Sequence, residues 1–212
     1  MDRQQIDLFF KILAAEFKKE AMIILTGAAA GTILGSVRPS VDIDFAVEMK
    51  RPGESAWKEF HAAVRKAISK TGIQANYAED IDRWGMITLL NYRNNTKFLK
   101  KYGNLTLSVL NPAIWSIGKV TRFIDPDIKD MIQVFRKTKI SPTRLAETWG
   151  KALRKSPRSV TLIRFRRQVE SFFKSYGIKI WGRNFNATKT IRQFYKSAGI
   201  HNPLKFSNSR KL

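Results

Sequence analysis

The sequence predicts an α/β (α+β) chain: a mixed sheet flanked by helices over residues 1–135, followed by a basic, mostly helical region over 136–212. Three observations carry that expectation. Short apolar runs of strand length alternate with segments whose apolar residues recur every three to four positions. Two aspartates, Asp42 and Asp44, share one face of an alternating strand. The charge is divided unevenly, with 19 Lys and Arg against 15 Asp and Glu up to residue 135, and 20 against 2 after it.

The first helix is amphipathic, with Ile6, Phe9, Phe10, Leu13 and Phe17 on one face, and it is too charged to be the core of a signal peptide. The apolar run Ala21–Leu25 has the length of a buried strand, and Thr26-Gly27 ends it. Residues 28–34 are small and helix-compatible, and Gly35 and Pro39 bracket a turn. Residues 41–47, VDIDFAV, alternate: Val41, Ile43 and Phe45 point one way, Asp42 and Asp44 the other. After the Pro52-Gly53 turn, Ser55 reads as the N-cap of a helix that carries Trp57, Phe60, Val64, Ala67 and Ile68 and ends near Gly72. Strands are expected over 73–81 and 86–90, with an acidic turn between them, and over 104–110, stopped by Asn111-Pro112.

From Ala113 onward the pattern is helical. Asp125-Pro126 opens a helix with Ile128, Met131, Ile132 and Phe135 inward, and Ser141-Pro142 opens the next, since proline is tolerated in a first turn. Ser156-Pro157 interrupts. Leu162, Phe165, Val169, Phe172 and Tyr176 then form an apolar stripe on a helix that Gly177 is placed to terminate. A last helix near Ala187–Ala198 sets Lys189, Arg192 and Lys196 on one face, a candidate nucleic-acid contact, and a frayed tail is expected from His201.

Composition removes several kinds of chemistry. The absence of cysteine excludes disulfides, thiolate zinc sites and a thiol nucleophile. The two histidines, His61 and His201, are far apart, which leaves oxygen-ligand metal chemistry of the Mg2+ or Mn2+ kind. No apolar run reaches the roughly 18 residues of a membrane span, so the expected compartment is the cytoplasm, with no membrane partner. A net charge of +22 concentrated in the C-terminal region favours a polyanionic partner, RNA first, against a plain solvated basic surface.

The stretch that carries chemistry is residues 27–44, GAAAGTILGSVRPSVDID. Carboxylates at i and i+2 on a strand repel one another, and a divalent cation between them removes the conflict. Upstream, a strand that ends in glycine and runs into a helix aims backbone N–H groups outward, an arrangement suited to phosphate. A phosphate cradle beside a metal-binding acidic pair is what phosphoryl or nucleotidyl transfer requires. Each element alone is a common one: Asp-x-Asp is usually a solvated strand face. Their order and spacing, with Arg38 and Ser40 between them, is more specific.

The pattern Gly27-Ala28, then Gly35-x-x-Arg38-x-Ser40-x-Asp42-Ile43-Asp44-Phe45, resembles the opening motif of the nucleotidyltransferase superfamily. It is most similar to the minimal bacterial nucleotidyltransferases that include the AbiEii/AbiGii toxins. The segments LSVLNP over 107–112, IGK over 117–119 and residues 125–130 resemble later parts of the same families, so the likeness covers roughly residues 20–135. It implies a nucleotidyltransferase-like fold in which Gly27 and Ala28 face the triphosphate and Arg38 or Ser40 binds phosphate oxygens. It further implies that Asp42 and Asp44 hold magnesium or manganese, while Lys119 contacts the nucleotide and Asp130 helps place it. An ordinary surface helix is the competing reading of Lys119 and Asp130, and a loop charge paired with Asp42 or Asp44 that of Arg38.

Two departures are visible. Ala28 replaces the usual second Gly or Ser, and Ser108 stands where many members carry a third carboxylate, which leaves Glu79, Asp80 or Asp82 to substitute from the neighbouring turn. Three functions are thereby set against each other. The first is an enzyme that moves a nucleotide from an NTP to an acceptor, RNA such as tRNA or a protein hydroxyl, in the family's toxin role. The second is a nucleic-acid-binding protein on a catalytically degenerate scaffold. The third is an interaction protein, paired with an acidic partner in the manner of an antitoxin.

Overall fold

A computed structural model describes residues 1–50 and 52–201, so the expected frayed tail beyond His201 lies outside the described residues. The described residues fall into two compact units: residues 1–50 and 52–81 with 91–115, and residues 82–90 with 116–201. The sequence-based boundary near residue 135 lies inside the second unit.

The first unit contains α1 (Arg3–Glu16), β1 (Ala21–Leu25), α2 (Gly27–Leu34), β2 (Asp42–Glu48), α3 (Glu54–Thr71), β3 (Gln74–Ala78), β6 (Thr96–Tyr102) and β7 (Leu105–Leu110). Its five strands form one mixed sheet in the order β3-β2-β1-β7-β6. β1 runs antiparallel to β2 and parallel to β7, β2 is parallel to β3, and β6 closes the far edge antiparallel to β7. The apolar face of β2 is decided by rings. Phe45 meets Phe10 of α1 at 5.5 Å, Phe60 of α3 at 6.4 Å and, stacked, Tyr77 of β3 at 5.5 Å. Phe45, Phe10 and Phe60 are fully buried, and aromatic burial of this size fixes which way β2 faces. Asp42 and Asp44 are thereby sent to the opposite face.

Three expectations change here. Ser55 does not cap α3: Gly53 is the N-cap, and the Ser55 hydroxyl instead donates to Glu59, one turn further on, at 3.0 Å. The strand expected over 73–81 is shorter, Gln74–Ala78. β6, TKFLKKY, was not expected, because its three lysines hide the alternation; it is an edge strand, where lysine discourages further pairing.

The second unit contains β4 (Arg83–Trp84) and β5 (Ile87–Thr88) as a two-stranded hairpin, with only Ile87 and Thr88 of the strand expected over 86–90 pairing as a strand. It continues with α5 (Asp125–Thr138), α6 (Pro142–Lys155), α7 (Val160–Trp181) and α8 (Ala187–Ala198); α4 (Pro112–Arg122) begins in the first unit and ends in this one. Ser141 accepts from Arg144 N at 3.2 Å as the N-cap of α6, and Asn186 accepts from Lys189 N at 2.8 Å as that of α8. The core is aromatic: Trp149 meets Phe172 at 5.7 Å and Phe173 at 5.3 Å, and its indole N–H donates to Ser116 Oγ at 3.0 Å. Gly177 does not end α7, which continues to Trp181. A Cβ at Gly177 would stand 1.9 Å from the Phe185 ring, so this glycine is a notch for that ring. Among the described residues no helix is long and apolar enough to cross a membrane.

Candidate functional site

Asp42, Asp44 and Asn76 lie on the side of the sheet opposite the Phe45 ring. β2 and β3 are parallel in a register that sets Asp44 directly across from Asn76, and Phe45 across from Tyr77. The Asn76 amide nitrogen reaches Asp42 Oδ2 at 2.9 Å and Asp44 Oδ1 at 3.2 Å. Two carboxylates that would otherwise repel thus converge on a single donor, whose partial positive charge relieves part of the conflict. Asn76 was missed by sequence reading, because QANYA carries no acidic or motif signal and only strand register brings it to the pair.

Gly27 abuts the same pair. Thr26 N donates to the Asp44 carbonyl at 2.9 Å, which carries the end of β1 across to β2 and delivers the start of α2 beside the Asp44 side chain. Gly27 has φ of +59°, and a Cβ there would fall 2.0 Å from Asp44 Oδ2. Glycine is required twice over, by backbone and by space. Trp115 holds this corner: its indole N–H donates to Gly27 O at 2.8 Å, and its ring packs over Gly31, where a Cβ would meet it at 3.1 Å. Ala28, half-buried, is the second residue of α2, and the N-cap Thr26 gives the first turn no side-chain hydrogen bond.

Ser40 is placed differently from expectation. It is buried and its hydroxyl donates to the Asp42 carbonyl at 2.6 Å, so it fixes the entry to β2 and does not point toward a ligand. Arg38 is half-buried in the connection between α2 and β2, its backbone N–H bonded to Ser36 Oγ at 3.3 Å.

The expected third-carboxylate position also changes. Ser108 is buried on β7 opposite Ile24, and Ile24 is opposite Ala46, so Ser108 stands two strands across from β2, roughly 10 Å away. Asp80 lies past the end of β3, four residues and up to about 13 Å along the chain from Asn76. Arg93 engages it at 3.6 Å, together with Glu48 at 3.4 Å. Glu79 is exposed in the same bend, and Asp82, in the second unit, pairs with Arg83 at 3.4 Å. The residue that stands beside the pair is an amide, and among the described residues no group of three His, Cys, Asp or Glu side chains is placed to hold a metal.

Lys119 and Asp130 come together in the second unit as an internal ion cluster. The Lys119 ammonium, only 2% exposed, lies 2.8 Å from both Asp127 Oδ1 and Asp130 Oδ2. Arg122 binds Asp127 through two nitrogens, each at 2.8 Å, and stacks over Trp84 at 5.2 Å. Burial would raise the Asp127 pKa, but the hydrogen bonds from Arg122 and Lys119 outweigh it and hold the carboxyl below its ordinary value. With Lys119, Asp127 and Asp130 all buried, the cluster is built as part of this unit's core, which departs from the expected nucleotide contact.

Lys189, Arg192 and Lys196 are all exposed on one face of α8, and none forms an ion pair among the described residues. That arrangement leaves three cations available to a polyanion.

Compared with family models, curated proteins and solved structures, the chain matches none of them significantly.

Asp42 and Asp44 are the two carboxylates that could hold a divalent cation here. Both carboxylates accept from the one Asn76 amide, so they stand close together on the same face of the sheet, and Gly27 leaves the space that the Asp44 carboxylate fills. Mg2+ needs no more protein than this, since it is commonly held by one or two carboxylates, with water and substrate phosphates completing the octahedron.

Proposed function

We propose that the Asp42–Asp44 face belongs to a metal-dependent nucleotidyltransferase that takes an NTP and transfers a nucleotide to an acceptor, with RNA, such as tRNA, as the acceptor class. The observation that carries this reading is the convergence of both carboxylates on one point with the glycine start of α2 pressed against Asp44. Asp42 and Asp44 would hold Mg2+ or Mn2+, whose charge offsets that of the triphosphate as the phosphoanhydride bond breaks. The N–H groups at the start of α2 orient the phosphates, while Trp115 keeps Gly27 in place. Asn76 keeps the two carboxylates aimed at the same point. The exposed cations of α8 supply salt-sensitive attraction for RNA. The toxin role, and with it a protein antitoxin as partner, rests on the motif resemblance; a cytoplasmic setting is proposed alongside it.

A second reading is favoured by Asn76 itself. An amide does not act as a general base for an acceptor hydroxyl, and its presence beside the pair suits a nucleic-acid-binding protein on a degenerate scaffold. Incubation with each labelled NTP, Mg2+ and total RNA separates the two. Label transfer lost in Asp44→Ala supports the enzyme. Salt-sensitive RNA binding without transfer, and unchanged in Asp44→Ala, supports the binding protein.

A further inference from the structure

Helix α7 turns two unlike faces to its surroundings. Phe165, Val169, Phe172 and Phe173 are buried in the core of its unit. The opposite seam, at spacings of three and four, runs Val160, Arg164, Arg167, Ser171, Lys174 and Ile178, every one of them exposed. From Val160 to Ile178, 18 residue steps, the seam is about 27 Å long. Its aliphatic members are open to a degree unusual for such residues: Val160 is 82% exposed, Ile163 beside it 55% and Ile178 61%.

The seam also has relief. A groove of about 520 Å³ lies along its N-terminal half, with Phe123, Val160 and Ile163 as apolar lining and Arg164 and Arg167 beside them. A second groove of about 350 Å³, lined by Leu153, Leu162, Ala198 and Ile200, lies on the other flank, and Ile163 and Arg167 are shared by both. Arg167 and Lys174 form no ion pair with a carboxylate among the described residues, so their charge is directed outward.

The chemistry of this surface selects its occupant. Arg164, Arg167 and Lys174 call for an anionic partner. Val160 and Ile163, the exposed apolar members of the groove, are branched aliphatics with no π face, and its one ring, Phe123, is half-buried, so the surface is a poor platform for the base stacking by which single-stranded nucleic acid is held. The basic face of α8 differs in kind, since none of its exposed residues is a large apolar one. Branched aliphatics in a groove rimmed by arginine suit a helix with leucine-like side chains on one side and carboxylates at its margin. We propose that the outward seam of α7 is a docking groove for an acidic amphipathic helix of a protein partner, independently of the chemistry at Asp42 and Asp44.

The test uses the full chain and a fluorescein-labelled peptide helix with Leu at i, i+3, i+4 and i+7 and Glu on the remaining positions, followed by anisotropy. Binding is expected, weakened about tenfold or more by Ile163→Glu and by Arg164→Ala with Arg167→Ala. Substitution of Lys189, Arg192 and Lys196 by alanine is expected to leave it unchanged. Because these side chains are exposed or at a groove margin, circular dichroism of each variant should match the parent. Three results would overturn the proposal: no peptide binding, equal binding by the same peptide with Ser for Leu, or displacement by a single-stranded RNA whose own affinity falls with Ile163→Glu.

Discussion

Gly27 faces Asp44 so closely that a Cβ on the first would occupy the space of the carboxylate of the second, 2.0 Å from Oδ2. This joins the end of β1 to the middle of β2, and it makes the smallest substitution at residue 27 a probe of the whole corner. In Gly27→Ala, φ of +59° becomes strained by about 1–2 kcal/mol and Asp44 must move away. The variant should lose about 2 kcal/mol or more in urea unfolding, and its divalent-cation binding should fall with Asp44 displaced. A variant that keeps parental stability would show that Asp44 and the start of α2 are not in contact.

Asn76 is the residue whose chemistry most affects the pair. Asn76→Asp places a third carboxylate within reach of two others, so without cation the charges repel and the folded state is weakened near neutral pH. A divalent cation reverses the sign of that effect. We expect a lower Tm than the parent in chelator, a larger gain in Tm on adding Mn2+, and Mn2+ affinity higher by roughly tenfold, about 1.4 kcal/mol, in titration calorimetry. Asn76→Ala should weaken Mn2+ binding, because the amide that bridges the two carboxylates is then lost. Equal Mn2+ affinity in all three proteins would remove Asn76 from the site.

How far the sequence discloses this corner follows from the range of the interactions. Asp42 and Asp44 are legible because strand alternation is local, and Ile43 between them and Phe45 after them declare which face is buried. Gly27 is legible as punctuation between a strand and a helix. Asn76 is not, since its place depends on a parallel register between strands separated by all of α3. Trp115 is hidden for the same reason, 88 residues from the carbonyl it holds. Ser108 misleads because strand sequence indicates depth of burial well and lateral position in the sheet poorly. Lys119 and Asp130 do come together, yet one lysine between two aspartates is how a helical core satisfies a buried charge.

The α8 cations make a separate, quantitative claim. Each phosphate contact removed lowers the dependence of binding on salt by about 0.7–0.9 in the slope of log K against log salt. Replacement of Lys189, Arg192 and Lys196 by alanine should reduce that slope for RNA by about two and weaken binding similarly for unrelated sequences. An unchanged slope in a filter-binding series would move the RNA contact elsewhere.

The Lys119–Asp127–Asp130 cluster ties stability of the second unit to pH. The folded pKa of Asp127 lies below its ordinary value of 3.8 because Arg122 and Lys119 favour the charged form over the cost of burial. A depressed carboxyl pKa contributes stability that is complete above the unfolded value and is lost as pH falls through the folded one. Asp127→Asn keeps the shape but takes one charged carboxylate from Lys119 and removes the paired bond from Arg122. Breaking a buried pair on one side costs about 3–5 kcal/mol, and the retained Asp130 should hold the loss toward the lower end. The variant should therefore unfold at clearly lower urea than the parent at neutral pH, and the gap should narrow steadily as acid protonates Asp127 in the parent. A gap that stays constant from neutral to acid pH would mean that the lost packing, and not the charge of Asp127, is what the substitution removes.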